Sequence, residues 1–176
     1  DNGRNLLIVW MDDRNGNDDI FVQKVDGNGN KLWISDVRVN GDSSTAIQSS
    51  PAIDSDSSGN LLIAWTDDRN GSWGIYAQKI DRNGNRLWIS DVRVNSDGGM
   101  TDQYSFPALA GGFDGNLLIV WTDYRNANSD IYAQKINQVG GKGWLADLQV
   151  VYPDLFYIPT GVVESRTVDS VADDIH

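Results

Sequence analysis

Two stretches of the chain carry oxygen donors at alternate positions. They are Asp54-Ser55-Asp56-Ser57-Ser58-Gly59-Asn60 and Asp26-Gly27-Asn28-Gly29-Asn30. Calcium loops are spaced in this way because a hard cation gathers carboxylate and amide oxygens around a turn. Asp54, Asp56, Asp26 and Asn28 are therefore the candidate metal ligands. Neither loop has the closing glutamate of a helix–loop–helix calcium site, and the same residue types build ordinary hairpin turns. No cofactor is expected, with calcium as the ion these loops could hold. A second kind of chemistry is suggested by Trp73 and Tyr124, aromatic residues at turn positions where other repeats of the chain carry Asp18, and Asp13 and Asp68. Exposed rings at such positions are where a glycan platform would sit, although single exposed aromatics are also commonplace. Tyr104, Phe106, Tyr152, Phe156 and Tyr157 gather in the long connection and the tail, as a partner surface or a buried edge. Asn70-Gly71-Ser72 is a formal glycosylation sequon, but it coincides with a turn.

Other chemistries are excluded by composition. There is no cysteine, and the one histidine is the last residue, His176, which removes thiolate sites, disulfides and most imidazole chemistry. The 25 acidic and 14 basic residues give a net charge of −11, which repels phosphate backbones and anionic lipid surfaces. Neither nucleic acid binding nor membrane insertion is expected. The longest apolar runs, such as Leu6 to Trp10, are about five residues, too short to cross a bilayer.

The elements that would position these residues are repeated. Leu6-Leu7-Ile8-Val9-Trp10 returns as Leu61-Leu62-Ile63-Ala64-Trp65 and as Leu117-Leu118-Ile119-Val120-Trp121. Each is followed by an Asp-x-Arg-Asn turn beginning at Asp12, Asp67 or Asp123. Next come Ile20-Phe21-Val22-Gln23-Lys24, Ile75-Tyr76-Ala77-Gln78-Lys79 and Ile131-Tyr132-Ala133-Gln134-Lys135, then a Gly/Asn turn and a tryptophan at 33, 88 or 144. A continuous apolar run bounded by turn residues marks a strand buried on both faces, as at Leu61 to Trp65. Ile75 to Ile80 reads as a second strand, and Asn83-Gly84 as a tight turn because both residues tolerate positive φ. Leu87 to Val94 reads as a third, and Pro51-Ala52-Ile53, repeated as Pro107-Ala108-Leu109, as a short strand with proline at its start.

Four short strands in a repeat of about 55 residues, with no helical period, describe an all-β chain of β-propeller blades that pack face to face. The tryptophan pairs Trp10/Trp33, Trp65/Trp88 and Trp121/Trp144 would wedge between blades. The divisions are 1–40 (a first blade lacking its opening strand), 41–95, 96–150, and a C-terminal strand or linker at 151–176.

The pattern Trp-x-Asp-x-Arg-Asn, Asp-Ile-Tyr-Ala-Gln-Lys, Asn-Gly-Asn, Trp resembles the blade repeat of secreted and surface multidomain bacterial proteins, β-propellers distantly similar to sialidase-type and kelch-type wheels. The resemblance covers residues 1 to about 150 and implies an extracellular or cell-surface location. Sialidases hold a carboxylate in a cluster of arginines at the propeller axis, so the likeness makes Arg14, Arg69 and Arg125 candidate ligand-binding residues. Their recurrence in every repeat equally suits a loop staple, since a group needed once for chemistry need not recur. The Asp-to-Trp spacing of seven differs from the five of the sialidase Asp-box, and no Tyr–Glu nucleophile pair is evident.

Propellers need about four to eight blades. Three cannot close a ring alone, so the expected partners are further blades of the same protein or another copy of the chain. The residues before Asp1 would align with Ser50 to Ser58, and the chain reads as a segment of something longer. Tyr157 to Val163 falls where Ser105 to Leu109 lies in the preceding repeat. This stretch, with Tyr157, Val162 and Val163, would complete a neighbour's first blade by strand addition. The functional expectation is a non-catalytic extracellular structural or interaction module, either a subunit of a self-assembling surface fibre or part of a larger surface protein. The alternative is a carbohydrate-binding or glycoside-cleaving propeller.

Overall fold

The computed structural model describes residues 5–96, 106–112 and 114–150. Within them the chain is all-β, with eleven strands in three antiparallel sheets. Sheet 1 holds β1 (Leu6–Asp12), β2 (Asp19–Val25) and β3 (Val37–Arg38). Sheet 2 holds β4 (Gln48–Ser55), β5 (Leu61–Asp67), β6 (Gly74–Ile80) and β7 (Val92–Arg93). Sheet 3 holds β8 (Ala108–Gly111), β9 (Leu117–Asp123), β10 (Asp130–Ile136) and β11 (Leu148–Gln149). In each sheet the spatial order follows the chain order, so every sheet is a meander. Sheet 1 opens directly on the apolar strand β1, whose counterparts β5 and β9 are second in their sheets.

The central strands pair in the same register in all three sheets: Trp10 lies opposite Phe21, Trp65 opposite Tyr76, and Trp121 opposite Tyr132. Alternation along a strand sends neighbouring side chains to opposite faces. Sheet 2 is covered on both faces, and β5 and β6 are buried at every position. One of its faces carries Leu61, Ile63, Trp65, Tyr76 and Ile80 against Val9, Ile20, Val22 and Val39 of sheet 1. The opposite face carries Leu62, Ala64, Ile75, Ala77 and Val94 against Leu117, Ile119, Trp121 and Tyr132 of sheet 3.

The two junctions share their polar contacts as well. Trp33 Nε1 donates to the Arg82 carbonyl at 3.1 Å, and Trp88 Nε1 donates to the Gln138 carbonyl at 3.0 Å. In both cases the receiving turn brings a glycine up to the preceding sheet: Gly84 (φ +90°) and Gly140 (φ +88°). A Cβ on these residues would stand 2.9 Å from Val37 Cγ2 and 3.0 Å from Val92 Cγ2, respectively. Glycine is needed there for both the positive φ and the close approach.

Two local expectations are corrected. The stretch Leu87 to Val94 forms a strand only over Val92–Arg93, with single backbone bonds from Leu87 N to the Lys79 carbonyl and from Val94 N to the Ile75 carbonyl, both 2.7 Å, and an isolated bridge between Ile80 and Arg86 before it. The Gln78 side chain takes the place of the ladder there: its Nε2 donates to the Trp88 carbonyl at 3.4 Å, and its Oε1 accepts from the Trp88 N–H at 3.1 Å. This frees Trp88 to turn into the sheet junction. Pro51 lies inside β4 instead of at its start, within a register shift between Ser49 and Ala52 and beside Ser50 at φ 52°. The bulge accommodates a residue that has no N–H to give to the ladder.

Leu61 is 1% exposed beneath sheet 1, whereas its counterpart Leu6 is 60% exposed. Leu61→Ala should lower unfolding free energy by about 2–5 kcal/mol, and Leu6→Ala by less than about 1 kcal/mol. Urea titrations at low protein concentration check the difference.

Candidate functional site

Each apolar strand ends in an aspartate that its own fold converts into a hub. In sheet 2 Trp65 Nε1 donates to Asp67 Oδ2 at 2.9 Å, and Arg69 donates to Asp67 Oδ1 from its backbone N and from Nε, both at 2.9 Å. Arg69 continues through NH1 to Asp91 Oδ2 at 2.9 Å, and its guanidinium lies over the Tyr76 ring, 4.3 Å from the centroid. Asp91 Oδ1 accepts from Gln78 Nε2 at 3.2 Å and pairs with Arg86. Asp12, Arg14, Asp36, Gln23 and Phe21 repeat the cluster in sheet 1, with Lys31 in place of Arg86. Asp123, Arg125, Asp147, Gln134 and Tyr132 repeat it in sheet 3.

The guanidinium forks are thus occupied within their own sheets. Arg69 has a third carboxylate, Asp42 of the connection between β3 and β4, at 3.4 Å. Burial opposes the charge of Arg69, but the hydrogen bonds and field of Asp67 and Asp91 outweigh it and raise its pKa. The Arg14 guanidinium, then the Trp10 indole, hold Asp12 well below the usual carboxylate range. The Lys31 ammonium, followed by Arg14, lowers Asp36 to about 2. In Asp123 burial works against ionisation, and hydrogen bonds from Arg125 and Trp121 overcome it. A cluster of this chemistry neutralises buried carboxylates and clamps a turn.

Of the candidate metal ligands, Asp26 and Asp56 lie at turns that use their carboxylate oxygens internally, Asn28 gives its N–H to Asp26, and Asp54 lies in β4. Asp26 Oδ1 accepts from the backbone N–H groups of Asn28 and Asn30 at 2.8 and 2.9 Å. Asp56 Oδ1 does the same for Ser58 and Asn60, both at 2.9 Å, and its Oδ2 pairs with Lys79 Nζ at 2.8 Å. Asp54 bridges two sheets, its Oδ2 accepting from Gly111 N at 2.9 Å. Among the described residues no group of three or more His, Cys, Asp or Glu is placed to hold a metal ion.

Trp73 is half-buried, and Tyr124 is exposed. They belong to different sheets. The amide of sequon residue Asn70 is bonded to the Tyr76 hydroxyl at 2.5 Å. Tyr157, Val162 and Val163 lie outside the described residues, as do Tyr104, Tyr152 and Phe156.

Sequence reasoning missed Asp36, Asp91 and Asp147, although they recur at the period of the repeat, and likewise the glutamines that bind them. It also missed a buried polar knot at the first junction. There Asn40 Nδ2 donates to Asp19 Oδ1 and to Gln48 Oε1, both at 2.9 Å, and Arg38 pairs with Asp19 at 2.6 Å. Asp19 and Asn40 come from sheet 1 and Gln48 from sheet 2, so only the fold joins them.

No protein-family model matches the chain, and comparison with curated proteins finds no significant match.

Arg69→Ala would leave the buried Asp67 without a guanidinium, while Asp91 keeps Arg86, and should destabilise by about 3–5 kcal/mol. Arg14→Ala, at a more exposed cluster, should cost clearly less than Arg69→Ala. Equilibrium urea unfolding measures both. An unfolded aspartate titrates near about 3.9. A group lowered in the folded state stabilises above that value and loses its contribution as pH falls towards its folded pKa. With Asp36 at about 2, and Asp12 and Asp123 shifted in the same direction, the carboxylate contribution should hold above about pH 4 and fall between about pH 4 and 2. Melting temperature against pH tests this, and a decline confined to pH 7 to 5 would contradict it.

Proposed function

We propose that the chain is a non-catalytic structural or interaction module made of β-propeller blades, working outside the cell or at its surface. It would serve as a subunit of a self-assembling fibre or as part of a larger surface protein. The observation that carries the non-catalytic reading is the repetition of the charged clusters. The Asp–Arg–Asp clamp occurs in all three sheets, and in each the guanidinium is engaged by two aspartates of its own repeat. Catalysis asks for a group that is singular and held ready; a clamp asks for the opposite. The propeller reading is supported by the meander order of each sheet and by the identical tryptophan-to-turn contact at both sheet junctions. The location rests on the resemblance of the repeat to secreted and surface proteins.

The carbohydrate alternative draws on Trp73 and Tyr124 as accessible aromatics. Incubation with chromogenic sialosides and other glycosides should give no turnover, and wild type, Trp73→Ala and Tyr124→Ala should show the same retention on a glycan array. Hydrolysis, or retention that disappears with either substitution, would favour the alternative.

A further inference from the structure

Sheet 2 is covered on both faces; among the described residues, sheets 1 and 3 each leave part of one copy of those same faces exposed. The outer face of sheet 1 bears Leu6 and Ile8, both exposed, beside the half-buried Trp10 and Phe21, which is buried beneath the Arg14 guanidinium; they are the counterparts of Leu61, Ile63, Trp65 and Tyr76. Ile63 is 0% exposed beneath sheet 1, and Ile8 is 40% exposed. The outer face of sheet 3 bears Leu118, Trp144 and Val150, the counterparts of Leu62, Trp88 and Val94. Leu62 is 0% exposed beneath sheet 3, and Leu118 is 42% exposed. The two uncovered faces differ, and each matches the partner that the other's counterpart meets inside the chain.

The polar half of the junction is present at both ends too. Trp33 and Trp88 donate to the carbonyls of Arg82 and Gln138, and the corresponding residue in the first repeat is Gly27. Gly84 and Gly140 sit against Trp33 and Trp88; Gly29, at φ +84°, has nothing within 4 Å of where its Cβ would lie. Asp91 and Asp147 accept backbone N–H groups from the preceding sheet, Gly41 at 2.8 Å and Ser96 at 2.7 Å, and Asp36 is their counterpart. Among the described residues nothing occupies the turn at residues 27–29, and sheet 3 carries Trp144, the counterpart of the tryptophans that seat on such turns.

We propose that the chain associates head to tail with a second copy of itself, sheet 3 of one copy packing on sheet 1 of the next, with the Trp144 indole donating to the Gly27 carbonyl across the contact. The occupant is identified by continuity: the junction already built twice within the chain is repeated between chains. The contact is heterologous, so it either closes into a ring or extends as a filament. The proposal rests on the reading of the sheets as propeller blades and gives that reading a defined surface.

The test uses the full chain in sedimentation velocity across a concentration series. Wild type should reach at least twice the mass of one chain. Ile8→Asp on sheet 1 and Leu118→Asp on sheet 3 should each stay at the mass of one chain, with circular dichroism and melting temperature close to wild type. An equimolar mixture of the two variants should recover the mass of a dimer, since one intact face of each kind remains. Trp144→Phe keeps the ring but loses the donor and should weaken association by about tenfold, the worth of one hydrogen bond. The proposal is overturned if folded wild type stays monomeric to about 1 mM, where association falls short of about 4 kcal/mol. It is equally overturned if only one of the two aspartate variants dissociates, or if the mixture fails to reassociate. A folded monomer would remove this contact and leave the non-catalytic reading standing, whereas glycoside turnover would sink that reading without touching the contact.

Discussion

A β-sheet that is apolar on both faces cannot stand alone in water. Each central strand pair here, such as β5 with β6, has hydrophobic side chains at odd and even positions alike, so neither face can be left to solvent. Sheet 2 meets this demand with another sheet on each of its faces. Everything else in the molecule follows from making that stack close enough to exclude water. Glycines 84 and 140 let a turn reach the neighbouring valine and tryptophan. Trp33 and Trp88 fill the space at the junction while giving their one polar atom a carbonyl across it.

Stacking creates a second problem at the strand ends. Asp67 and Asp123 are wholly buried, and a buried carboxylate without a counter-charge is costly. The Asp-x-Arg turn answers it locally: the arginine two residues on folds back on the carboxylate, and its flat guanidinium rests on the aromatic ring opposite the tryptophan. A second aspartate, from the far end of the repeat, closes the other side of the fork. The strand end, the turn and the last strand are held in one unit, which fixes where the tryptophan at 33 or 88 emerges. Arginine's fork and planarity suit this role in a way lysine's single ammonium would not.

Much of this was legible in the residues because it is local or periodic. The apolar five-residue runs, the Asn-Gly turn and the Asp-x-Arg motif are contiguous, and their recurrence exposes them. The parts that could not be read depend on contacts far apart in sequence. Leu87 to Val94 has strand-like composition, yet Gln78, ten residues away, takes over the Trp88 backbone groups and ends the ladder there. Asp36, Asp91 and Asp147 look like ordinary turn residues until folding brings an arginine 22 positions away onto them. The oxygen-rich turns at Asp26 and Asp56 show the converse. Their spacing suits a cation, but the same spacing aims backbone N–H groups at the carboxylate, and in the folded chain those donors are in place.

The central claim is that the sheets stack in repeat order through a tryptophan seated on the next sheet's glycine turn. Nuclear Overhauser spectroscopy of the tryptophan indoles examines it directly. The account predicts cross-peaks from the Trp33 indole to Gly84 Hα and from the Trp88 indole to Gly140 Hα, with both indole protons exchanging slowly with solvent. Indoles at 33 and 88 that exchange at the free rate and give no cross-peak to either turn would contradict it.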